Sequence, residues 1–425
     1  MMNLSERDRK IIWHPFTQEK TAELPIAIKR AYGSYLYDED DKSYLDLISS
    51  WWVNLHGHAH PKIAEAIYKQ GITLEHVIFA GFTHEPAVIL CERLKTLLPD
   101  KLSRFFFSDN GSTAVEVALK MAYQYWWNRG NYEKTTFLSF AGGYHGDTFG
   151  AMSVGAKSGF HDVFSNLLFS VLTIPFPETW SGDEEIENKE KYSLEVLENH
   201  LNTGANKIAA LILEPLVQGA SGMKMCRPEF INKVVNLVRK HEILVICDEI
   251  MTGFGRTGTY FAFEQTKIIP DFLCISKGLT GGFLPLALTI TTEEIYSAFL
   301  SKHFSKAFAH GHSYTANPLG CAAAIVSLDL LMKPDTMKSI QRIHSAQKKE
   351  LNSLKTCTNI QHIRVTGTIA AFDIHNAQML KTTFLKHGLL IRPLGNTIYL
   401  LPPYSISTLE LEEAYAKIRN ILDAS

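Results

Sequence analysis

The stretch ILVICDE, residues 243–249, runs five apolar residues into two carboxylates, and FLCISKG, residues 272–278, ends in the same way on a lysine. Apolar runs with no polar alternation are buried on both faces, which is the mark of a parallel strand covered by helices on either side. The strand from Ile243 to Cys247 and that from Phe272 to Ile275 are joined by Arg104 to Phe107 and Ile208 to Leu213, each separated from the next by longer amphipathic stretches. Between about residues 100 and 290 this alternation predicts an α/β domain with a mostly parallel central sheet.

The two chain ends have a different texture. The first 55 residues and those from about 335 onward mix short strands, helices and turns. A smaller α+β domain built from both ends fits this pattern. The expected division is an N-terminal segment, 1–58, contributing to the small domain and the active site, a large domain, 59–325, and a C-terminal small domain, 326–425. The polar run Ser181 to Lys191 reads as a surface loop or linker, and Cys321 to Met332 as a buried helix.

A chain of 425 residues is long enough for two domains. Its 42 basic and 44 acidic residues give a formal charge of -2, so neither a nucleic acid nor an anionic membrane is expected as partner. The segment Met1 to Lys10 has neither the apolar core of a secretory signal nor the bias of a transit peptide, and a cytoplasmic location is expected. The six cysteines, at 91, 226, 247, 274, 321 and 357, form no C-x-x-C pair and read as reduced thiols.

Ligands of open parallel sheets bind at the carboxyl ends of the strands. Asp248 and Lys277 each stand at such an end and can face one crevice. Taken singly, each has an ordinary reading: an Asp there caps a turn, and a Lys there is solvated. Together, followed by the turn GLTGG at 278–282, they fit a Schiff-base lysine and an acid that keeps a pyridine nitrogen protonated, the requirements of pyridoxal 5′-phosphate.

A phosphorylated cofactor also needs an anion site, and Ser108 to Thr113 follow directly on the strand ending at Phe107. Helical spacing then begins, with Thr113 to Glu116 matching a capping box. Backbone N–H groups at such a start bind phosphate, and Gly111 lets a ligand come close, although Gly-Ser-Thr also opens many helices that hold nothing. Tyr144, in GGYHGDT at 142–148, is placed either to stack on a flat ring or to pack on its own loop. His56, His58 and His60 alternate as strand ligands would, but Gly57 and Pro61 indicate a turn and no Cys or carboxylate joins the pattern. No metal is expected there, nor at His310 and His312.

The segments CDEIMTGFGRTG at 247–258, Asp271 and SKGLTGG at 276–282 resemble the cofactor signature of the class III aminotransferases, of fold-type I among pyridoxal phosphate enzymes, and the likeness extends over almost the whole chain. Within that family WHPFT at 13–17, SSWW at 49–52, YHGDTFGAMSV at 144–154 and HGHSYTANPLGCAAA at 310–324 are similar to the branch that aminates 8-amino-7-oxononanoate to 7,8-diaminononanoate in biotin synthesis.

The resemblance implies that Lys277 carries the cofactor and moves the proton, that Asp248 pairs with the ring nitrogen, that Gly111 and Ser112 hold the phosphate, and that Tyr144 stacks on the ring. It implies Trp51 and Trp52, with Tyr144 and Lys277, around the substrate, and Arg392, in IRPLG at 391–395, on the substrate carboxylate. Gly311, His312 and Ser313 are implied to reach the site from the partner subunit of a homodimer, with the Ser313 hydroxyl on the phosphate. S-adenosyl-L-methionine is the implied amino donor, with lysine as the alternative. Another ω-amino acid aminotransferase, an aminomutase and a non-catalytic cofactor-binding module are the competing readings. Two positions depart from the branch. Phe16 stands where Tyr is usual, which removes a hydroxyl, and His312-Ser313 stands where Pro-Thr is common, which keeps one.

Overall fold

The buried runs form the middle of a seven-stranded sheet in the order Leu102–Ser108, Ala287–Thr292, Phe272–Ile275, Leu244–Asp248, Ile208–Leu213, Thr136–Phe140 and Val171–Ile174. This computed structural model describes residues 2–155, 162–355, 357 and 359–424. Every strand of the sheet runs the same way except Ala287–Thr292, which is antiparallel to both of its neighbours. The chain reaches that strand through the turn after Lys277, with Ile275 opposite Leu288, and needs no helical crossover to do so.

Burial on both faces explains the unbroken apolar runs. On one face Ile246, Ile212 and Cys274 pack with Val115, Ala118 and Ala122 of helix Gly111–Asn128. On the other, Val245, Leu211 and Leu273 share a core with Phe230, Val234 and Val238 of helix Pro228–Arg239.

Two local expectations are corrected. Helix Gly111–Asn128 is capped by Asn110, whose side chain accepts the Thr113 N–H at 3.1 Å while the Thr113 hydroxyl accepts the Asn110 N–H at 3.2 Å, so the capping box lies one turn before Thr113–Glu116. Glu116 caps a different helix: it accepts from the N–H groups of Gly150 and Ala151 and the hydroxyl of Thr148, at the start of Phe149–Val154. The run Ser181 to Lys191 is only half loop, because helix Ile186–Gly204 begins inside it. Its sparse buried face, Ile186, Glu190, Ser193, Leu197 and Leu201, includes a carboxylate that Arg227 and Lys233 pair.

The chain ends meet in a four-stranded sheet, where Leu389–Leu390 lies parallel to Ser43–Asp46 beside Tyr35–Asp38 and Ile28–Tyr32. A three-stranded antiparallel sheet, Gln361–Thr366, Ile369–Asp373 and Thr397–Leu400, stands next to helices Pro334–Leu354 and Thr408–Asp423. Helix Pro318–Leu331, buried as expected, runs unbroken through residues 325 and 326, where the division between domains was placed. Among the described residues no helix is long and apolar enough to cross a membrane, and all six cysteines are free.

Candidate active site

Asp248 is the last residue of its strand and Lys277 lies just past the end of the neighbouring one, so the parallel register sets both at one edge of the sheet. That edge opens into a cavity of about 450 Å³ lined by Trp51, Trp52, Gly111, Ser112, Tyr144, Asp248, Lys277 and Arg392. Residues from six separate stretches of sequence thus line one cavity. Gly311, His312 and Ser313 do not line it; in the single chain Gly311 and Ser313 are exposed, and the Nδ1 of His312 accepts the Tyr314 N–H.

Burial pushes the Lys277 amine down to about 8, against the charges of Asp248 and Glu214, which act to raise it. Its Nζ sits 4.4 Å from the centre of the Trp52 ring, and its backbone holds a left-handed φ of 46°. A non-glycine residue keeps that conformation only where its surroundings enforce it.

Asp248 is buried, with Oδ2 2.7 Å from Nδ1 of His145 and Oδ1 accepting the Ile250 N–H at 3.1 Å. Burial alone lowers the pKa of His145, but the hydrogen bond and charge of Asp248, with the charge of Glu214, outweigh it and hold the imidazole above its ordinary value. Glu214 accepts the N–H groups of Tyr144 at 3.1 Å and Gly219 at 3.0 Å, and burial raises its carboxyl to about 7. Neither His145 nor Glu214 was foreseen. Glu214 follows the buried strand Ile208–Leu213 as Lys277 follows its own, so the rule that found Lys277 would have found it.

The start of helix Gly111–Asn128 is where the sequence places an anion site. A Cβ on Gly111 would stand 2.9 Å from Cγ2 of Ile250, so this glycine is required by packing as well as for close approach of a ligand. The Ser112 hydroxyl accepts the Asp147 N–H at 3.1 Å, and a Cβ on Gly146 would collide with that hydroxyl. The turn carrying Tyr144 is therefore pressed against the helix start. Tyr144 donates its hydroxyl to Asp147 at 2.9 Å and lines the cavity.

The Arg392 guanidinium, also in the cavity lining, lies 4.1 Å from the centre of the Trp51 ring and 6.0 Å from that of Phe16. Trp52 is buried and donates its indole N–H to the Tyr399 hydroxyl at 3.0 Å. Arg256, in the signature quoted above but given no role from sequence, is fully buried and donates to the carbonyls of Trp52, Asn54 and Pro402. Three of those histidines have side-chain partners: His56 meets Ser327, His58 meets Asp46 and His310 meets Lys120.

A nucleophilic amine, a buried acid held by an imidazole, and free N–H donors at a helix start suit a ligand with a carbonyl, a basic ring nitrogen and a phosphate. Comparison with known proteins agrees. The profile of the family Aminotransferase class-III matches residues 16–422. The adenosylmethionine-8-amino-7-oxononanoate aminotransferase of Synechococcus elongatus is 51% identical over 421 residues, covering 97% of this chain and 98% of that one. The crystal structure of the enzyme of that name from Methanocaldococcus jannaschii superposes with a TM-score of 0.91 at 36% identity, covering 99% of each chain. An amine transaminase from an uncultivated Pseudomonas species, in its PLP-bound form, gives a TM-score of 0.91 at 29% identity, covering 97% of this chain and 98% of that one.

Proposed function

The chain belongs to the class III aminotransferases, and from that premise we propose that it transfers an amino group to 8-amino-7-oxononanoate, forming 7,8-diaminononanoate in biotin synthesis, with S-adenosyl-L-methionine as donor. The observation that carries the reading is the lining of one cavity, which combines the amine of Lys277 and the acid of Asp248 with the guanidinium of Arg392 and the rings of Trp51 and Trp52. An amino-keto acid with a remote carboxylate matches that layout.

The cofactor is pyridoxal 5′-phosphate, which when bound supplies an electrophilic carbonyl and a sink for the electron pair released at the substrate carbon. Lys277 is both the covalent anchor and the acid–base group. Its Nζ would take up the proton from the substrate carbon that bears the amine and would give it up again. A pKa of about 8 leaves the amine able to do either near neutral pH. Asp248, fixed by His145, holds the ring nitrogen protonated. The N–H groups at Gly111 and Ser112 take the phosphate, and the Tyr144 ring covers the heterocycle.

Trp51 and Trp52 wall the acceptor's chain and exclude water from it, while Arg392 takes its carboxylate as a two-pronged donor. Gly311, His312 and Ser313 complete the site from the second subunit of a homodimer, with Ser313 on the phosphate. The direct test mixes the cofactor-loaded protein with 8-amino-7-oxononanoate and each donor in turn, with the diamine measured by mass. Product with S-adenosyl-L-methionine supports the reading; product with lysine alone replaces the donor; none with either removes the acceptor.

A further inference from the structure

Asp46 is fully buried, and its carboxylate is engaged on all sides. Oδ1 accepts the Ile48 N–H at 3.1 Å, while Oδ2 accepts the Ser50 N–H at 2.6 Å, the Ser50 hydroxyl at 3.2 Å and Nε2 of His58 at 2.9 Å. These bonds converge on a strained turn. Ser49, Ser50 and Trp52 take φ of 52°, 60° and 67°, the densest group of left-handed non-glycine residues among those described. Such a turn persists only where contacts from outside it enforce it.

The turn carries Trp51, whose indole lies against the Arg392 guanidinium. The backbone on either side is held separately: Asp46 N–H donates to Ser34, Leu47 N–H to Leu390, and Leu401 N–H to Leu47. The Asp46 side chain therefore holds the Ser50 part of the turn, beside the Ser49 hydroxyl on the Leu401 carbonyl and the Trp52 indole on Tyr399, and leaves the strand pairing to the main chain. We infer that Asp46 and His58 are positioning residues for substrate carboxylate, acting through Ser50 and Trp51 to fix where Arg392 points. This rests on the reading of Arg392 as the carboxylate ligand.

The test uses the cofactor-loaded enzyme and two amines of equal length, one an ω-amino acid and the other its carboxylate-free counterpart, each followed by the spectral change of the half-reaction. In Asp46→Asn an amide replaces the carboxylate in the same volume and sets N–H against N–H. In Ser50→Gly the hydroxyl is lost and the left-handed backbone becomes unstrained, so the fold is kept while the turn loosens. The expected result is a KM for the amino acid raised about fivefold to tenfold with little change in kcat, as loss of a cation–aromatic contact in uniform binding requires. The KM for the plain amine and the visible spectrum of the Lys277-bound cofactor stay as in the wild type.

Equal KM changes for both amines, or a fall in kcat at constant KM, overturn the inference. If Asp46→Asn does not fold, Ser50→Gly decides alone, and an unaltered KM there overturns it. A wild type that treats the two amines alike removes the carboxylate role of Arg392, a result distinct from failure of the clamp.

Discussion

His145 Nδ1 and Asp248 Oδ2 lie 2.7 Å apart with both side chains shut off from solvent. The pair ties the acid at the end of one strand to the residue beside Tyr144, so the group proposed to face the ring nitrogen and the group proposed to cover the ring are set together. Because the His145 value is raised, the stabilisation from the pair is complete below the ordinary histidine pKa and disappears as pH rises through the higher folded value. Asp248→Asn is expected to lower kcat by at least about 100-fold, and His145→Gln by about tenfold, since removing a fixed charge from a buried site costs more than removing its orienting partner. Steady-state rates at saturating cofactor check both.

Two buried glutamates oppose folding as pH rises. Burial raises Glu214 and Glu249 to about 7, so above the ordinary carboxyl value the unfolded chain ionises them while the folded one resists. A shift of that size is worth on the order of 3 kcal/mol for each group. Relative to wild type, Glu214→Gln should therefore gain unfolding free energy between pH 5 and pH 7.5, approaching about 3 kcal/mol. Urea unfolding of both proteins at the two pH values measures the difference; a constant gap would contradict it.

The rate at which cofactor-free protein takes up pyridoxal phosphate should follow the neutral form of Lys277. Below about 8 the rate is expected to rise about tenfold per pH unit, and above that to level off. Stopped-flow absorbance across pH 6 to 9.5 gives the profile. A midpoint near the ordinary lysine value would show that burial does not activate the amine.

Gly111 and Ile250 form a coupled pair. Gly111→Ala places a methyl group 2.9 Å from Cγ2 and 3.0 Å from Cδ1 of Ile250, which either displaces the side chain beside Asp248 or opens the helix start. Cofactor affinity should fall about tenfold, and Ile250→Ala in the same chain should restore part of it, as expected for residues in contact. Equilibrium titration of the two variants tests the coupling.

Much of this was readable from residue order, because burial on both faces leaves an unambiguous signature. The strand Phe272–Ile275 stands where its apolar run placed it, and Leu244–Asp248 differs from the expected span by one residue at each end. The strand ends singled out Asp248 and Lys277, the Gly-rich turn offered Tyr144, and the resemblance added Arg392. What was not readable depends on partners far away in sequence. The reversal of Ala287–Thr292 is decided by a turn, since its residues suit a strand of either direction. Glu116 looked like a cap for its own helix because a cap on Phe149–Val154 leaves no local trace. His145 is fixed by an acid 103 positions away, and the strain in Ser49 to Trp52 by Asp46, neither of which spacing reveals.

The whole reading depends on a covalent bond between the Lys277 amine and the cofactor. Borohydride reduction of the loaded protein, followed by peptide mass mapping, examines that bond directly. The predicted result is a phosphopyridoxyl group on the peptide containing Lys277 and on no other; an unlabelled Lys277 peptide, or a label on a different lysine, would contradict it.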